Sequence, residues 1–406
     1  MEKIKKQNNI GSYSSDKDGE YKKFRFSKTS IRGFLLKEYE REVPIIVKIQ
    51  SYRNKFLDFY FKMASILGEE VFFILALPIS TWCVATQLGV ELCVVLALTI
   101  GGGNILKNTF TLPRPPPNIV WTNTAHQKDH GLPSTHTASA FGLTFYFLIY
   151  TYFLFPTIGE SFNISLLSMF FIVLFWSTSV MFSRLYNGHH TPMDVIAGLI
   201  VAITSILATT YQLRYFIEGM VLSETFLFGP MLYIAILSAI LFFHPQANTG
   251  PTPAYPETGL VCGASLGSLI SLWLHAQHPC PLMNQELLLL EANYDSIVST
   301  IHSIPLLLHG SRILIGLVLV GIAKVFSKKF FFFAYDLVIR ANTNNEQSQP
   351  ITTVSFDPNK KIIVTPTIEA FSKLFVYTCV SFTIVSMPYL FYYLNIQTSA
   401  DVTRYY

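Results

Sequence analysis

Charge is scarce in this sequence. Of its 406 residues only 13% are charged, while 51% are hydrophobic and 15% aromatic, and the mean hydropathy is +0.40. Soluble globular chains carry roughly a quarter charged residues, so the composition argues against a water-facing exterior and for a membrane protein. Cysteine is equally thin. There are five, without CxxC spacing, and Cys83, Cys93, Cys262 and Cys379 lie inside apolar runs, which argues against a disulfide or zinc framework. The first 30 residues lack the apolar core of a cleaved signal peptide, so insertion is expected to use the first span. Carboxylate clusters and His/Cys ligand spacings are missing too, and neither a metal nor another cofactor is expected.

Apolar length is what the chain has in abundance. Nine runs approach the span of a bilayer, at roughly 71–88, 90–106, 137–155, 164–182, 193–211, 226–243, 259–275, 311–326 and 374–394. The first two are close enough to form a tight hairpin. Gly101-Gly102-Gly103 within the second predicts close helix packing, with a broken helix as the alternative. Residues 45–66 mix aromatics with Lys48, Arg53, Lys55 and Lys62 at helical spacing and read as an interfacial amphipathic helix. Ahead of them, residues 1–44 read as a polar basic tail, expected to be disordered. The first 70 residues hold 15 of the 29 lysines and arginines against 10 acids.

Ionisable residues beside hydrocarbon are expensive and are usually kept for function or for snorkelling. Three groups stand out. Lys107-Asn-Thr-Phe-Thr-Leu-Pro113-Arg114-Pro115 leaves the second run, Pro133-Ser134-Thr135-His136 opens the third, and Ser183-Arg184-Leu-Tyr-Asn-Gly-His189-His190-Thr-Pro-Met-Asp194 joins the fourth to the fifth. Taken singly, each has a structural reading. The first is a basic span end, the second an N-cap, and the third a helix start in which Thr191, Pro192 and Asp194 make a capping arrangement. Taken together they ask for more, because the order of the spans brings all three to one membrane face. They pool three cations (Lys107, Arg114 and Arg184), the Ser134 hydroxyl, two helix N-termini, and a histidine pair beside Asp194. Cations and helix N-termini suit a phosphate, and a phosphoryl transition state needs fixed donors around its spread charge.

In this order and spacing, Lys107-x6-Arg114-Pro115, Pro133-Ser134-x-His136 and Ser183-Arg184-x5-His190-x3-Asp194 resemble the three-part signature of the type 2 phosphatidic acid phosphatase (PAP2) superfamily. Thr135 departs from the Gly of many members, and the Pro-Ser-Thr-His form resembles the sphingosine-1-phosphate phosphatase branch. So do Leu67-Gly68-Glu69-Glu70, the stretch from His244-Pro245 to Gly259, and Leu308-His-Gly-Ser-Arg312 through Gly316. The resemblance covers roughly residues 56–395. It implies an all-α polytopic transmembrane helix bundle of about nine spans, with a phosphatase core at 67–212, additional spans of the branch's type at 213–395 and a tail at 396–406.

The resemblance also implies roles. His190 would be the nucleophile, Asp194 would orient it, and His136 would protonate the leaving lipid alkoxide and then activate water. Lys107, Arg114, Ser134 and Arg184 would hold the phosphoryl oxygens. His189 is a rival nucleophile, but only His190 keeps both gaps, five residues from Arg184 and three to Asp194. The implied substrate is a sphingoid base 1-phosphate in the endoplasmic reticulum membrane; nucleic acid is not an expected partner. Glu69, Glu70 and Asp129 are the acids that could meet the sphingoid amine. A broader lipid phosphatase for phosphatidate or polyprenyl phosphates, and a glucose-6-phosphatase-like enzyme, are the neighbouring readings. A non-enzymatic scaffold or transporter would not need His136, His190 and Asp194 intact. Two expectations about sidedness oppose each other: Lys328, Lys329, Lys360 and Lys361 fall on the side of the motifs and of the basic tail, which the positive-inside rule makes cytosolic, whereas the resemblance implies a lumenal site.

Overall fold

The computed structural model describes residues 13–15, 21–23, 31–122, 129–222, 228–248, 250–277, 305–343, 365–394, 396 and 398. Two short strands, β1 (Tyr13–Ser15) and β2 (Tyr21–Lys23), pair antiparallel with Ser14 opposite Lys22. Two helices follow, α1 (Ile31–Gln50) and α2 (Lys55–Ile66), and Asn54 caps the second by accepting the Leu57 amide at 3.0 Å. This corrects the sequence expectation in two places. Residues 31–44 are helix rather than disordered tail, and the helix expected over 45–66 is interrupted after Gln50. The cause is the stripe Leu36, Tyr39, Val43 and Ile46, at helical spacing, which is buried against Leu112, Val120 and Leu132. On α2, Phe56, Phe59, Met63 and Ile66 are exposed on one side while Tyr60 Oη meets Ser179 Oγ at 2.7 Å on the other, the layout of a helix lying in a membrane surface.

The bundle comprises α3 (Glu70–Cys83), α4 (Thr86–Phe110), α5 (Thr135–Leu154), the short α6 (Pro156–Ser161), α7 (Leu166–Tyr186), α8 (Pro192–Val221), α9 (Phe228–Phe242), α10 (Ala254–Gln277), α11 (Pro305–Thr343) and α12 (Pro366–Tyr393). Among the described residues, seven helices (α4, α5, α7, α8, α10, α11 and α12) are long and apolar enough to cross a membrane, and α3 and α9 hold the shorter apolar segments Phe72–Cys83 and Phe228–Phe242. Each of the nine apolar runs thus emerges as an apolar helix. α3, with 14 residues, reaches only about 21 Å at the helical rise, short of a hydrocarbon core of about 30 Å. The expected tail at 396–406 lies almost wholly outside the described residues.

The glycine run in α4 does not break the helix. The chain passes through a π-turn at Ala97–Gly101 and continues as α-helix. Gly103 is where the close packing occurs, since a Cβ there would sit 2.7 Å from Thr135 Cγ2 at the start of α5, whereas Gly102 faces open space. α10 and α12 run parallel. Gly259, Gly263 and Gly267 press against the backbone at Ala370, Leu374 and Thr378, so small residues at four-residue spacing bring the two helices into backbone contact.

Two features lie away from the three motifs of the sequence. Near the start of α4, fully buried Glu91 accepts hydrogen bonds from Tyr146 Oη and from Gln87 Nε2, the latter at 2.9 Å, and stands 3.9 Å from Arg214 Nε. It ties α4, α5 and α8 together about 24 Å along the helix axis from Lys107. An apolar cleft of about 80 Å³, lined by residues including Leu77, Leu96, Ile100, Val261 and Tyr377, opens between α3, α4, α10, α11 and α12.

Candidate active site

Four helix ends meet on one face. α4 delivers Lys107 near its C-terminus, α5 begins with Ser134 as its N-cap, α7 ends just after Arg184, and α8 starts immediately after His190 and Thr191. A backbone bond from the Ser134 amide to the Asp194 carbonyl, 2.9 Å, joins the start of α5 to the first turn of α8. α1 straps across these ends. Tyr39 Oη donates to the Arg114 carbonyl at 2.9 Å, the Met193 amide donates to Glu42 Oε2 at 2.9 Å, and Gln50 Nε2 donates to the carbonyls of Trp121 and Tyr186 at 2.8 and 2.9 Å.

Lys107, Arg114 and Arg184 are all brought to this face, and all are buried or nearly so. Lys107 Nζ lies 2.6 Å from Asp129 Oδ2 and donates to Thr135 Oγ1 at 3.1 Å. Arg114 Nη2 lies 3.0 Å from the same carboxylate oxygen, Nε donates to the Asp129 carbonyl at 3.1 Å, and Nη1 donates to the His189 carbonyl at 3.3 Å. Burial alone would raise the Asp129 carboxyl, but Lys107, then Arg114, and the His130 amide hold it down at about 2. Arg184 is fully buried; Nη1 donates to Ser65 Oγ at 2.7 Å, and Nε and Nη2 are buried without a partner. A buried guanidinium with unmatched nitrogens is costly to fold, and an anion would match them.

His190 is completely buried between an acid and a base. Its Nδ1 is 3.4 Å from Asp194 Oδ2, and its Nε2 is 3.4 Å from Arg114 Nη1. The first contact is in ion-pair range without being a closed hydrogen bond, as Nδ1 has no bonded partner, and such catalytic contacts tighten on binding substrate. Asp194 Oδ2 also accepts the Thr191 amide at 2.9 Å, completing a reciprocal capping box with Thr191. Burial, then the charges of Arg114, Arg184, Lys107 and His136, pushes the His190 imidazolium well below its ordinary 6.5. The ring is therefore neutral, with Nε2 facing the cations. His136, at the start of α5, is half-buried, and a Cβ on Gly68 in the turn before α3 would stand 3.8 Å from its Cβ. The Ser134 hydroxyl accepts from the Thr137 amide at 3.4 Å and from Thr137 Oγ1 at 3.1 Å, so its own hydrogen remains available to donate. Among the described residues, no group of three or more His, Cys, Asp or Glu stands together as metal ligands would.

Residues 88–218, which contain Lys107, Arg114, Ser134, His136, Arg184, His190 and Asp194, match the PAP2 superfamily model. Over that stretch the chain is similar to the PAP2 superfamily. A dihydrosphingosine 1-phosphate phosphatase of Schizosaccharomyces pombe is 33% identical over 54% of this chain and 54% of its own length. Sphingosine-1-phosphate phosphatase 2 of Homo sapiens is 29% identical over 56% of this chain and 55% of its own, and lipid phosphate phosphatase delta of Arabidopsis thaliana is 28% identical over 55% and 54%. The chain thus spans about half the length of the curated relatives it matches. No solved structure matches it.

Within and around the matched region the structure adds residues that the motifs do not name. Thr135, the departure from the Gly form, accepts from the Lys107 ammonium. Ser65 on α2 holds Arg184, and Tyr39 and Glu42 on α1 hold the loops of Arg114 and Met193. Asp129, a sequence candidate for an amine partner, is bound to both Lys107 and Arg114. Glu69 sits at the N-cap position of α3 without a side-chain cap bond. The Glu70 side chain lies outside what is described.

Proposed function

We propose that the PAP2 domain hydrolyses lipid phosphate monoesters, sphingoid base 1-phosphates in particular, through a phosphohistidine at His190. The observation that carries this reading is the fully buried His190, with Nε2 toward Arg114 and Nδ1 toward Asp194, together with the buried Arg184 whose Nε and Nη2 lack partners. Nε2 attacks phosphorus, the bond from phosphorus to the lipid oxygen breaks, and His136 gives that oxygen a proton. The imidazolium formed at His190 is stabilised through Nδ1–H by Asp194. His136 then takes a proton from water as the water attacks phospho-His190, releasing phosphate and restoring the free imidazole. Lys107, Arg114, Arg184 and the Ser134 hydroxyl neutralise the phosphoryl oxygens throughout.

The substrate class is supported by the names of two of the relatives, a dihydrosphingosine 1-phosphate and a sphingosine-1-phosphate phosphatase, and by the placement of the site at the ends of apolar helices. A broader lipid phosphatase is the second reading, because a lipid phosphate phosphatase is also among the relatives. The location carried by the resemblance is the endoplasmic reticulum membrane. Purified chain in mixed micelles is expected to turn over sphingosine 1-phosphate faster than phosphatidate at equal surface fraction and faster than glucose 6-phosphate supplied in solution, and to do so in excess EDTA. Rapid alkaline quench is expected to trap acid-labile phosphate in wild type and in His189→Ala, and none in His190→Ala, whose turnover falls by roughly a thousandfold or more. Trapping in His190→Ala would remove His190 from the chemistry, and phosphatidate turning over as fast as the sphingoid phosphate would leave the broader reading.

A further inference from the structure

Resting on the sphingoid reading above, we propose that Asp129 is the residue that recognises the substrate's ammonium group and thereby sets selectivity within the PAP2 site. The argument begins with an imbalance. Asp129 Oδ2 is shared by Lys107 Nζ and Arg114 Nη2 at 2.6 and 3.0 Å, while Oδ1 of the same carboxylate is buried with no hydrogen-bond partner, and the side chain is only 11% exposed. Phosphate binding does not require Asp129 to leave. Arg184 Nε and Nη2 are unpartnered, and Lys107, with three N–H donors, gives one to Asp129 and one to Thr135. A phosphoryl group seated on these donors therefore lies beside a carboxylate held ionised.

That neighbour is a liability for most phosphate esters. Two like charges in a desolvated site repel, so an ester with no cation of its own is penalised. A sphingoid base 1-phosphate carries an ammonium on the carbon next to the one bearing the phosphate. When the phosphoryl group is on Arg184 and Lys107, this ammonium can enter between the phosphate and Oδ1, satisfying the unpaired oxygen and cancelling the repulsion. The same carboxylate thus attracts one class of substrate and repels the other, which is how selectivity is built most economically. Glu69 is the rival. It is partly exposed and acts on Arg184 rather than on Lys107 or Arg114, so solvent weakens its hold on a cation.

The test compares sphingosine 1-phosphate with its analogue lacking the amine and with its N-acetyl derivative, whose nitrogen is neutral, in mixed micelles at equal surface fraction. Wild type is expected to favour the ammonium substrate at least tenfold in kcat/KM over both. In Asp129→Asn this preference is expected to collapse to within threefold, because kcat/KM for sphingosine 1-phosphate falls at least threefold further than kcat/KM for the amine-free phosphate, with the difference carried by KM. Loss of activity toward all three substrates in equal proportion would overturn the proposal and leave Asp129 as a residue that only positions Lys107 and Arg114. Collapse of the preference in Glu69→Gln and not in Asp129→Asn would overturn it in favour of Glu69. Should Asp129→Asn fail to fold, the wild-type series decides alone, since equal turnover of the ammonium and N-acetyl substrates overturns the proposal. Absence of phosphate release from every lipid would instead reject the phosphatase reading itself.

Discussion

His189 and His190 are both buried, yet they serve the site through different atoms. His189 contributes its carbonyl, which accepts from Arg114, and its amide, which donates to the Arg184 carbonyl at 3.0 Å. Both survive replacement of the side chain. His190 contributes its ring, and the state of that ring makes a prediction about pH. The folded chain holds the imidazolium well below 6.5, first by burial and then by the surrounding cations, whereas unfolding returns it to an ordinary value. As pH falls, the unfolded chain binds this proton first. Stability from the neutral, buried ring is therefore complete above about 6.5 and is lost progressively below it. Between about pH 7 and pH 5, the range over which an ordinary histidine titrates, the wild-type melting temperature is expected to fall more steeply than that of His190→Gln. Parallel slopes would mean that His190 is not held neutral. The spacing of His190 from Arg184 and Asp194 was legible because one turn of helix and a tight loop fix it locally. The bridging role of Asp129 was not, because it arises only when the loop after α4 folds back onto Lys107.

In the proposed mechanism α5 carries His136, α8 carries Asp194 and the loop just before α8 carries His190, and Gly198 sets the distance between the two helices. A Cβ at Gly198 would stand 2.5 Å from the Ser134 carbonyl and 3.1 Å from Thr137 Cβ. Gly198→Val is expected to destabilise by about 1–3 kcal/mol through overpacking. It is expected to lower kcat by roughly a hundredfold, the scale of loss from an ångström of misplacement. Ile196→Ala, at an exposed position on the same helix, should change kcat little. Measuring both by phosphate release and thermal melting checks this; a Gly198→Val enzyme with normal kcat would show that the two helices can separate without harm. Element types were readable from hydropathy across the bundle. α1 was not, because its burying stripe of Leu36, Tyr39, Val43 and Ile46 is set among Arg32, Lys37, Glu38, Glu40, Arg41 and Glu42, and composition alone reads such a segment as a solvated tail.

At the scale of the whole molecule, the N-terminal helices and the face of the candidate site are one surface. α1 bonds to the backbone at Arg114, Trp121 and Tyr186, α2 holds Arg184, and the turn into α3 packs on His136. α3 then leads away to the start of α4, which returns over its full length to Lys107. The arrangement fixes relative sidedness whatever the absolute orientation in the membrane. Cysteines placed at exposed Tyr52, between α1 and α2, and at exposed Asn118, in the loop after Arg114, are expected to react together with a membrane-impermeant maleimide in sealed microsomes, or together only after permeabilisation. A cysteine at exposed Glu160, in α6 at the far end of α5, is expected to show the opposite behaviour. Opposite labelling of the Tyr52 and Asn118 positions would contradict the strap of α1 across the site. The direction of the result also weighs the two forces that compete for orientation. Labelling at Tyr52 and Asn118 before permeabilisation gives the decision to the basic face carried by the first 70 residues, and labelling only afterwards puts the phosphate site in the lumen against that charge.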